Sequence, residues 1–256
     1  MSAPLFDLTG QVALISGAAG GLGQAIARAF AQHGADVVLA DRNDCESVAD
    51  DCRALGRRAH CVNVDLSDAA QVQALCDSAL AAFGRVDILV CNAGLQGPAG
   101  PLGDVTSTDW NAVFGVNLLS AHSLTSRLVP AMAERGAGSV IMMASIAALR
   151  GNKAIGLYGM SKAALSQLAR NLAIEWGPNG VRVNAIAPGL IRTPFSTGLM
   201  ANDAFMQRRI GLTPLRRVGE PDEIAGVAVM LASRAGAFIT GQTMVVDGGT
   251  LIGDGS

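Results

Sequence analysis

Seven short apolar runs punctuate this chain, at 11–16, 35–40, 59–64, 86–91, 139–144, 181–187 and 243–246. They are rich in Val, Ile and Ala and lack regular polar alternation, the pattern of strands covered on both faces. Between them lie stretches of helical length at 22–33, 67–83, 107–134 and 155–176, and a last one opening at Glu220. Strand–helix–strand–helix order predicts parallel strands, because each return to the same edge needs a crossover helix. The expectation is an α/β chain: a doubly wound parallel sheet of about seven strands with helices on both faces. Half of the 256 residues are hydrophobic and only 16% are charged, enough to bury such a sheet. No linker or shift of composition divides the chain, so residues 1–256 read as a single domain.

Local signals set the helix ends. Gly34 follows the first helical stretch as a C-terminal glycine, and Ser67 and Gly84 bracket the second. Glu220-Pro221-Asp222-Glu223 puts Pro at a first helical position and acids in the first turn. The least regular long segment is 190–215, with Pro194, Gly198, Gly211 and Pro214 among Phe195, Leu199, Met200, Phe205 and Met206. Two readings fit it: a mobile cover over a substrate, or an ordinary pair of surface helices.

Charge narrows the partners. A net charge of −2 gives no large attraction to nucleic acid or to an anionic membrane. The arginine pairs Arg57-Arg58, Arg208-Arg209 and Arg216-Arg217 are scattered and read as solvated faces. No apolar run approaches the ~20 residues of a membrane span, and the first residues carry no secretory signature. Five cysteines without CxxC spacing (Cys45, Cys52, Cys61, Cys76, Cys91) read as reduced thiols of a cytoplasmic protein. His33, His60 and His122 lack ligand spacing, so no metal site is expected.

Two motifs carry chemistry. The segment from Ser16 to Gly23 follows the first strand and opens the first helix, with Gly17, Gly21 and Gly23 in a Gly-x-x-x-Gly-x-Gly spacing. Such a turn lets backbone and helix N–H groups approach a pyrophosphate, although any tight strand-to-helix turn needs glycine. Asp41 ends the second strand, where a carboxylate accepts from an adenosine ribose and repels a 2′-phosphate. Arg42 argues the other way; the balance predicts NAD over NADP. The second motif is Tyr158, the only tyrosine, four residues before Lys162 in helical sequence. A phenol beside an ammonium group has its anion favoured, and a fall of about three units would make it a usable acid/base.

These residues resemble the short-chain dehydrogenase/reductase family along essentially the whole chain. Its Thr-Gly-x-x-x-Gly-x-Gly cradle is matched from Ser16 to Gly23, and its Asn-Asn-Ala-Gly element by Cys91-Asn92-Ala93-Gly94, with Cys in place of the first Asn. Its active-site Ser is matched by Ser145, its Tyr-x-x-x-Lys by Tyr158 and Lys162, its helix Asn by Asn117, its Pro-Gly by Pro188-Gly189, and its acid after the third strand by Asp65. The resemblance implies a Rossmann fold and hydride exchange between NAD(H) and a secondary alcohol or ketone. Tyr158 would exchange a proton with the substrate oxygen, Ser145 would polarise it, Lys162 would lower the tyrosine's pKa and bond the nicotinamide ribose, and Asn117 would hold a water behind them. Cofactor contacts would also come from Gly17, Gly21, Leu22, Gly23, Asp41, Arg42, Asp65, Leu66, Asn92, Ala93, Gly94, Pro188, Gly189, Ile191 and Thr193. Its two long helices would pair across a twofold axis and its C-terminal strand region would build a second interface, giving a homotetramer; covering the sheet is the other reading of those helix faces.

Substrate contacts are expected from Ser145, Ala147, Gln96, Asn152, Tyr158 and Phe195, with Ile146, Leu149, Leu190, Leu199 and Met206 nearby. This apolar set suits a small secondary alcohol. A 3-oxoacyl thioester and a sugar or polyol remain alternatives, as does epimerisation or dehydration of a nucleotide sugar. A non-enzymatic NAD-binding sensor or scaffold is the alternative of another class.

Overall fold

The computed structural model describes residues 4–253. Seven strands form one parallel sheet: β1 (Val12–Ser16), β2 (Asp36–Asp41), β3 (Ala59–Asn63), β4 (Ile88–Cys91), β5 (Gly138–Met143), β6 (Val181–Pro188) and β7 (Thr243–Val246). Their order is β3-β2-β1-β4-β5-β6-β7, and every pairing is parallel. The nine α-helices among the described residues are α1 (Gly21–Gln32), α2 (Glu46–Ala54), α3 (Ala69–Phe83), α4 (Ser107–Phe114), α5 (Ser120–Glu134), α6 (Gly156–Trp176), α7 (Thr197–Met200), α8 (Asp203–Gly211) and α9 (Pro221–Ala232).

Adjacent strand residues face opposite ways, which is why the strands are apolar without alternating. On β1, Leu14 joins the layer built with Leu75 of α3, Leu124 of α5 and Leu165 of α6. Its neighbour Ile15 joins the other layer, with Phe30 of α1 and Leu231 of α9. Truncating a fully buried leucine such as Leu89 in such a core costs about 2–5 kcal/mol. The chain leaves β1 for β2 on one side and reaches β4 on the other. Loops therefore diverge at the carboxyl ends of β1 and β4 and leave a crevice between them.

Several local expectations change. The cap of α3 is Asp68, not Ser67, because the Asp68 carboxylate accepts from the N–H groups of Ala70 and Gln71. Gly84 does end that helix in the left-handed conformation, and Glu220 and Glu223 do form a reciprocal cap on α9. The stretch 107–134 is not one α-helix: a π-helical turn, Gly115–Leu119, separates α4 from α5. Sequence reading passed over α2, whose nine residues bury only Val48, Ala49 and Cys52. The segment 190–215 is not structureless, since it holds α7 and α8.

Candidate active site

A cleft of about 450 Å³ opens at the carboxyl ends of the strands. Gly17, Gly20, Gly21 and Leu22 line one wall, at the turn from β1 into α1. Gly17 and Gly21 have φ of +69° and +55°, a region that favours glycine. Gly20 caps α1 without a side chain, so the first N–H groups of the helix face the cleft uncapped. Gly23 does not line the cleft: a Cβ there would collide with the Gly17 carbonyl. Its role is close packing. Asn92 braces the same turn from β4, donating its side-chain amide to the carbonyls of Ser16 and Gly17, both at 3.0 Å. Asp41 holds it from β2, accepting from the Ala19 N–H at 3.0 Å. These features fit a dinucleotide, because N–H donors and a bare backbone meet where a pyrophosphate would rest.

Of the other expected cofactor residues, Asp41, Arg42, Asp65, Leu66, Asn92, Ala93, Gly94, Pro188, Gly189, Ile191 and Thr193 all line the cleft. Asp65 is held by the hydroxyl and then the N–H of Ser67, which lower its pKa. The Cys91 thiol is 4% exposed, and burial pushes it up to about 12, so it fills space as a neutral group. All five cysteines are free. Among the described residues no group of three potential ligands is placed to hold a metal ion. No helix among them is long and apolar enough to cross a membrane.

Ser145 follows β5, while Tyr158 and Lys162 lie on the first turns of α6; all three line the cleft. The Lys162 ammonium is 2% exposed and donates to the Met143 carbonyl at 2.8 Å. It stands 5.6 Å from the centroid of the Tyr158 ring. A Cβ on Gly94 would sit 3.1 Å from Lys162 Nζ, so glycine there leaves room for the ammonium. Asn117 lies behind this wall and does not line the cleft. Its amide accepts from the Leu95 N–H at 2.7 Å and donates to the Leu95 carbonyl and to Ser161 Oγ. The π-helical turn thus clamps the loop after β4 to α6. Both amide hydrogens of Asn117 are engaged, so it could hold a water only through its oxygen.

The expected fall in the tyrosine's pKa is corrected. Burial pushes Tyr158 up to about 12, with Ser145 pulling the other way. Burial also brings Lys162 down to about 8. Helical spacing brings the two side chains together, but the loss of water around each sets the direction of both shifts.

Gln96, Ala147, Asn152 and Phe195 line the cleft as expected, with Ile146, Leu190 and Leu199. Leu149 and Met206 do not. Phe195 lies over Tyr158, with ring centroids 6.0 Å apart. Asn152 turns its carbonyl to the N–H groups of Ala154 and Ile155, shaping the entry to α6. Two charged lining residues escaped the sequence reading. Arg150 shares a loop with Asn152, which was a usable signal; Arg209 belonged to a pair read as solvated, yet it is half-buried against the cleft. Of the other pairs, Arg58, Arg216 and Arg217 are exposed as expected, Arg58 on Asp36 and Arg217 on Glu223, while Arg57 is half-buried and donates to the Gly34 carbonyl.

Known proteins carry the same plan. A family model described as Enoyl-(Acyl carrier protein) reductase matches residues 17–250. An uncharacterized oxidoreductase of Mycobacterium tuberculosis is 45% identical over 248 residues, spanning 96% of this chain and 94% of that one. A 7α-hydroxysteroid dehydrogenase solved with NADH and 7-oxo glycochenodeoxycholic acid superposes with a TM-score of 0.93 at 36% identity, covering 97% of each chain. A gluconate 5-dehydrogenase of Burkholderia cenocepacia, in complex with NADP and tartrate, gives a TM-score of 0.92 at 35% identity, covering 97% of this chain and 98% of that one.

Proposed function

Because the chain belongs to the short-chain dehydrogenase/reductase family of oxidoreductases, we propose that it moves a hydride between NAD(H) and a small secondary alcohol or ketone, with Tyr158 as acid/base. The observation that carries this reading is Tyr158, Ser145 and Lys162 on one wall of the cleft whose other wall is the glycine turn. Nicotinamide, when bound, supplies the hydride acceptor or donor. Ser145 positions the substrate oxygen, and Tyr158 takes or gives the proton at that atom. Lys162, anchored on Met143, supplies a cation that favours the tyrosinate once an oxidised ring adds its own charge. Asn117 and Ser161 fix the backbone that presents Tyr158, since Ser161 Oγ donates to the Tyr158 carbonyl.

Asp41 supports NAD over NADP, although solved relatives hold either NADH or NADP. Its two oxygens accept from the Ala19 and Asn43 N–H groups, so its charge is fixed where a 2′-phosphate would lie. The segment 190–215 would cover the substrate as part of the one domain, 1–256. Exposed Leu119 and Ile174, next to or on the long helices, support a homotetramer. Free cysteines support a reducing, cytoplasmic setting.

The test is the initial rate of NAD and NADP reduction over a panel of secondary alcohols, polyols and 3-hydroxyacyl esters. We expect Tyr158→Phe to bind NAD normally and to lose about 10²–10⁴-fold in turnover. We expect Asp41→Ala to gain relative use of NADP. Full turnover in the Phe variant would sink the mechanism, and a wild type that prefers NADP would sink the cofactor assignment. NAD binding with no turnover across the panel would favour a sensor.

A further inference from the structure

The charged residues lining the cleft are of mixed sign at one end and all cationic at the other. Asp41 and Asp65 stand at the β2–β3 end, with Arg42 between them in sequence. On the substrate side the lining charges are all cationic: Lys162 beneath Tyr158, Arg150 in the loop after Ser145, and Arg209 on α8. Arg150 and Arg209 are half-buried. Among the described residues, neither forms an ion pair, whereas Arg28, Arg58, Arg85, Arg127, Arg192 and Arg217 each hold a carboxylate.

Among the described residues Arg209 is offered an aromatic face and no carboxylate within ion-pair distance. Its guanidinium lies 5.6 Å from the Phe205 ring centroid. Asp247, an acid near enough to act on Arg209, has both carboxylate oxygens on the N–H groups of Gly249 and Leu251. Burial first, and then the charge of Arg150, pull the Arg209 pKa below its ordinary value. The last turn of α8 favours a cation and accounts for Arg208 and Arg209 together. It does not account for Arg150, which sits in a loop, or for Arg209 facing the cleft while Arg208 stays exposed. Two like charges partly removed from water, facing one cavity, cost stability unless an anion joins them. Guanidinium groups suit a carboxylate, whose two oxygens match their fork of donors.

We infer that the substrate is an oxo or hydroxy acid. Its carboxylate is held by Arg150 and Arg209, and its carbonyl or alcohol lies against Ser145 and Tyr158. This rests on the alcohol/ketone reading above and names the class of substrate within it. The apolar residues between the two ends, Ile146, Leu190, Phe195 and Leu199, take the carbon frame.

The experiment uses methyl-ketone acids of rising chain length, each beside its own methyl ester, with NADH as reductant. Wild type, Arg150→Ala, Arg209→Ala and Arg209→Lys are compared, and NADH affinity is read separately by fluorescence titration. We expect one chain length at which wild type prefers acid to ester by about tenfold or more in kcat/KM. Each Ala variant should collapse that ratio through KM, Arg209→Lys should restore part of it, and NADH Kd should stay within about twofold. Esters reduced as well as acids would overturn the carboxylate assignment and leave the alcohol/ketone reading intact. NADH Kd raised about tenfold in the Ala variants would give the arginines to the cofactor's phosphates and overturn it as well. If no compound turns over, arginine-dependent quenching of bound NADH by the acids keeps the carboxylate site while the ketone reading fails. Neither quenching nor turnover with any acid overturns the site.

Discussion

The wall of the cleft, taking in Tyr158 and the glycine turn opposite it, and the segment 190–215 proposed to cover it are held by different kinds of bond. The wall is tied across the sequence: Lys162 to Met143, Asn117 to Leu95 and Ser161, Asn92 to Ser16 and Gly17. Lys162, Asn117, Ser161 and Ser16 are buried, so a bond lost at any of them leaves a partner without water. The cover is tied mainly to itself: Thr193 to Ser196, Asn202 to Phe205, Arg209 to Thr213. It meets the body through the Leu190–Gly219, Arg192–Gly219 and Leu215–Gly248 backbone bonds, the Arg192–Glu220 ion pair and the Thr213–Thr250 hydroxyl pair. Ile191 anchors the cover in the core, but Phe195 and Leu199 beyond it are 54% and 40% exposed. On the proposed function, chemistry would sit on the part that cannot shift cheaply and substrate choice on the part that can.

The strongest way to break that contrast is a single methyl group in the rigid part. Gly23→Ala puts a Cβ against the Gly17 carbonyl and close to the Asn92 amide, both backbone-bound. Neither can retreat without opening the turn. We expect loss of NAD binding by about 100-fold or more, from a few kcal/mol of strain, seen by fluorescence titration. A variant that binds NAD like wild type would mean the turn is as adaptable as the cover.

A smaller effect of opposite sign is expected at Lys162. Its folded pKa is about 8, below the ordinary 10.5. Below pH 8 both folded and unfolded chains carry the charge, and the folded state bears the full cost of burying it. Between about 8 and 10.5 the unfolded chain binds more protons, so stability rises with pH. Lys162→Met removes the charge but leaves the Met143 carbonyl without its donor. The net expectation near neutral pH is a gain of about 2 kcal/mol by denaturant melt, together with loss of turnover and a flatter profile from pH 8 to 10. Destabilisation at neutral pH would show that the lysine is structural. Tyr158, whose pKa is raised, works the other way only above pH 10.

These two sites also mark what sequence could reveal. The cradle was legible because its spacing is local: glycines follow a strand and open a helix within one turn. The same holds for Tyr158 and Lys162, one helical turn apart. The direction of the tyrosine's pKa was not legible, since it depends on water excluded by residues far along the chain. Nor was the π-helical turn at Gly115–Leu119, whose extra residue leaves no side-chain signature. The helix α2 was missed because it is short and polar, with Asp, Glu and Arg at four of its nine positions. Arg209 was misjudged for a related reason. Two adjacent arginines look alike in sequence, and only the fold turns one toward the cleft.

The smallest expected effect lies in the cover and decides how it works. Gly198 stands in α7, and a Cβ built there meets nothing within 4 Å. Gly198→Ala should therefore favour the helix by about 0.5–1 kcal/mol, chiefly by narrowing the unfolded ensemble. That corresponds to a rise of about 1–4 °C in Tm. Because α7 is held by local bonds, the change should stay local, with kcat/KM within about twofold of wild type. A raised Tm with a clearly lowered kcat would mean that the cover must bend during turnover and that stiffening α7 slows it. A raised Tm with unchanged kinetics would make it a wall that is merely tolerant. The same methyl group that ruins the cradle at Gly23 would then pass unnoticed at Gly198, because one position is packed on backbone and the other on solvent.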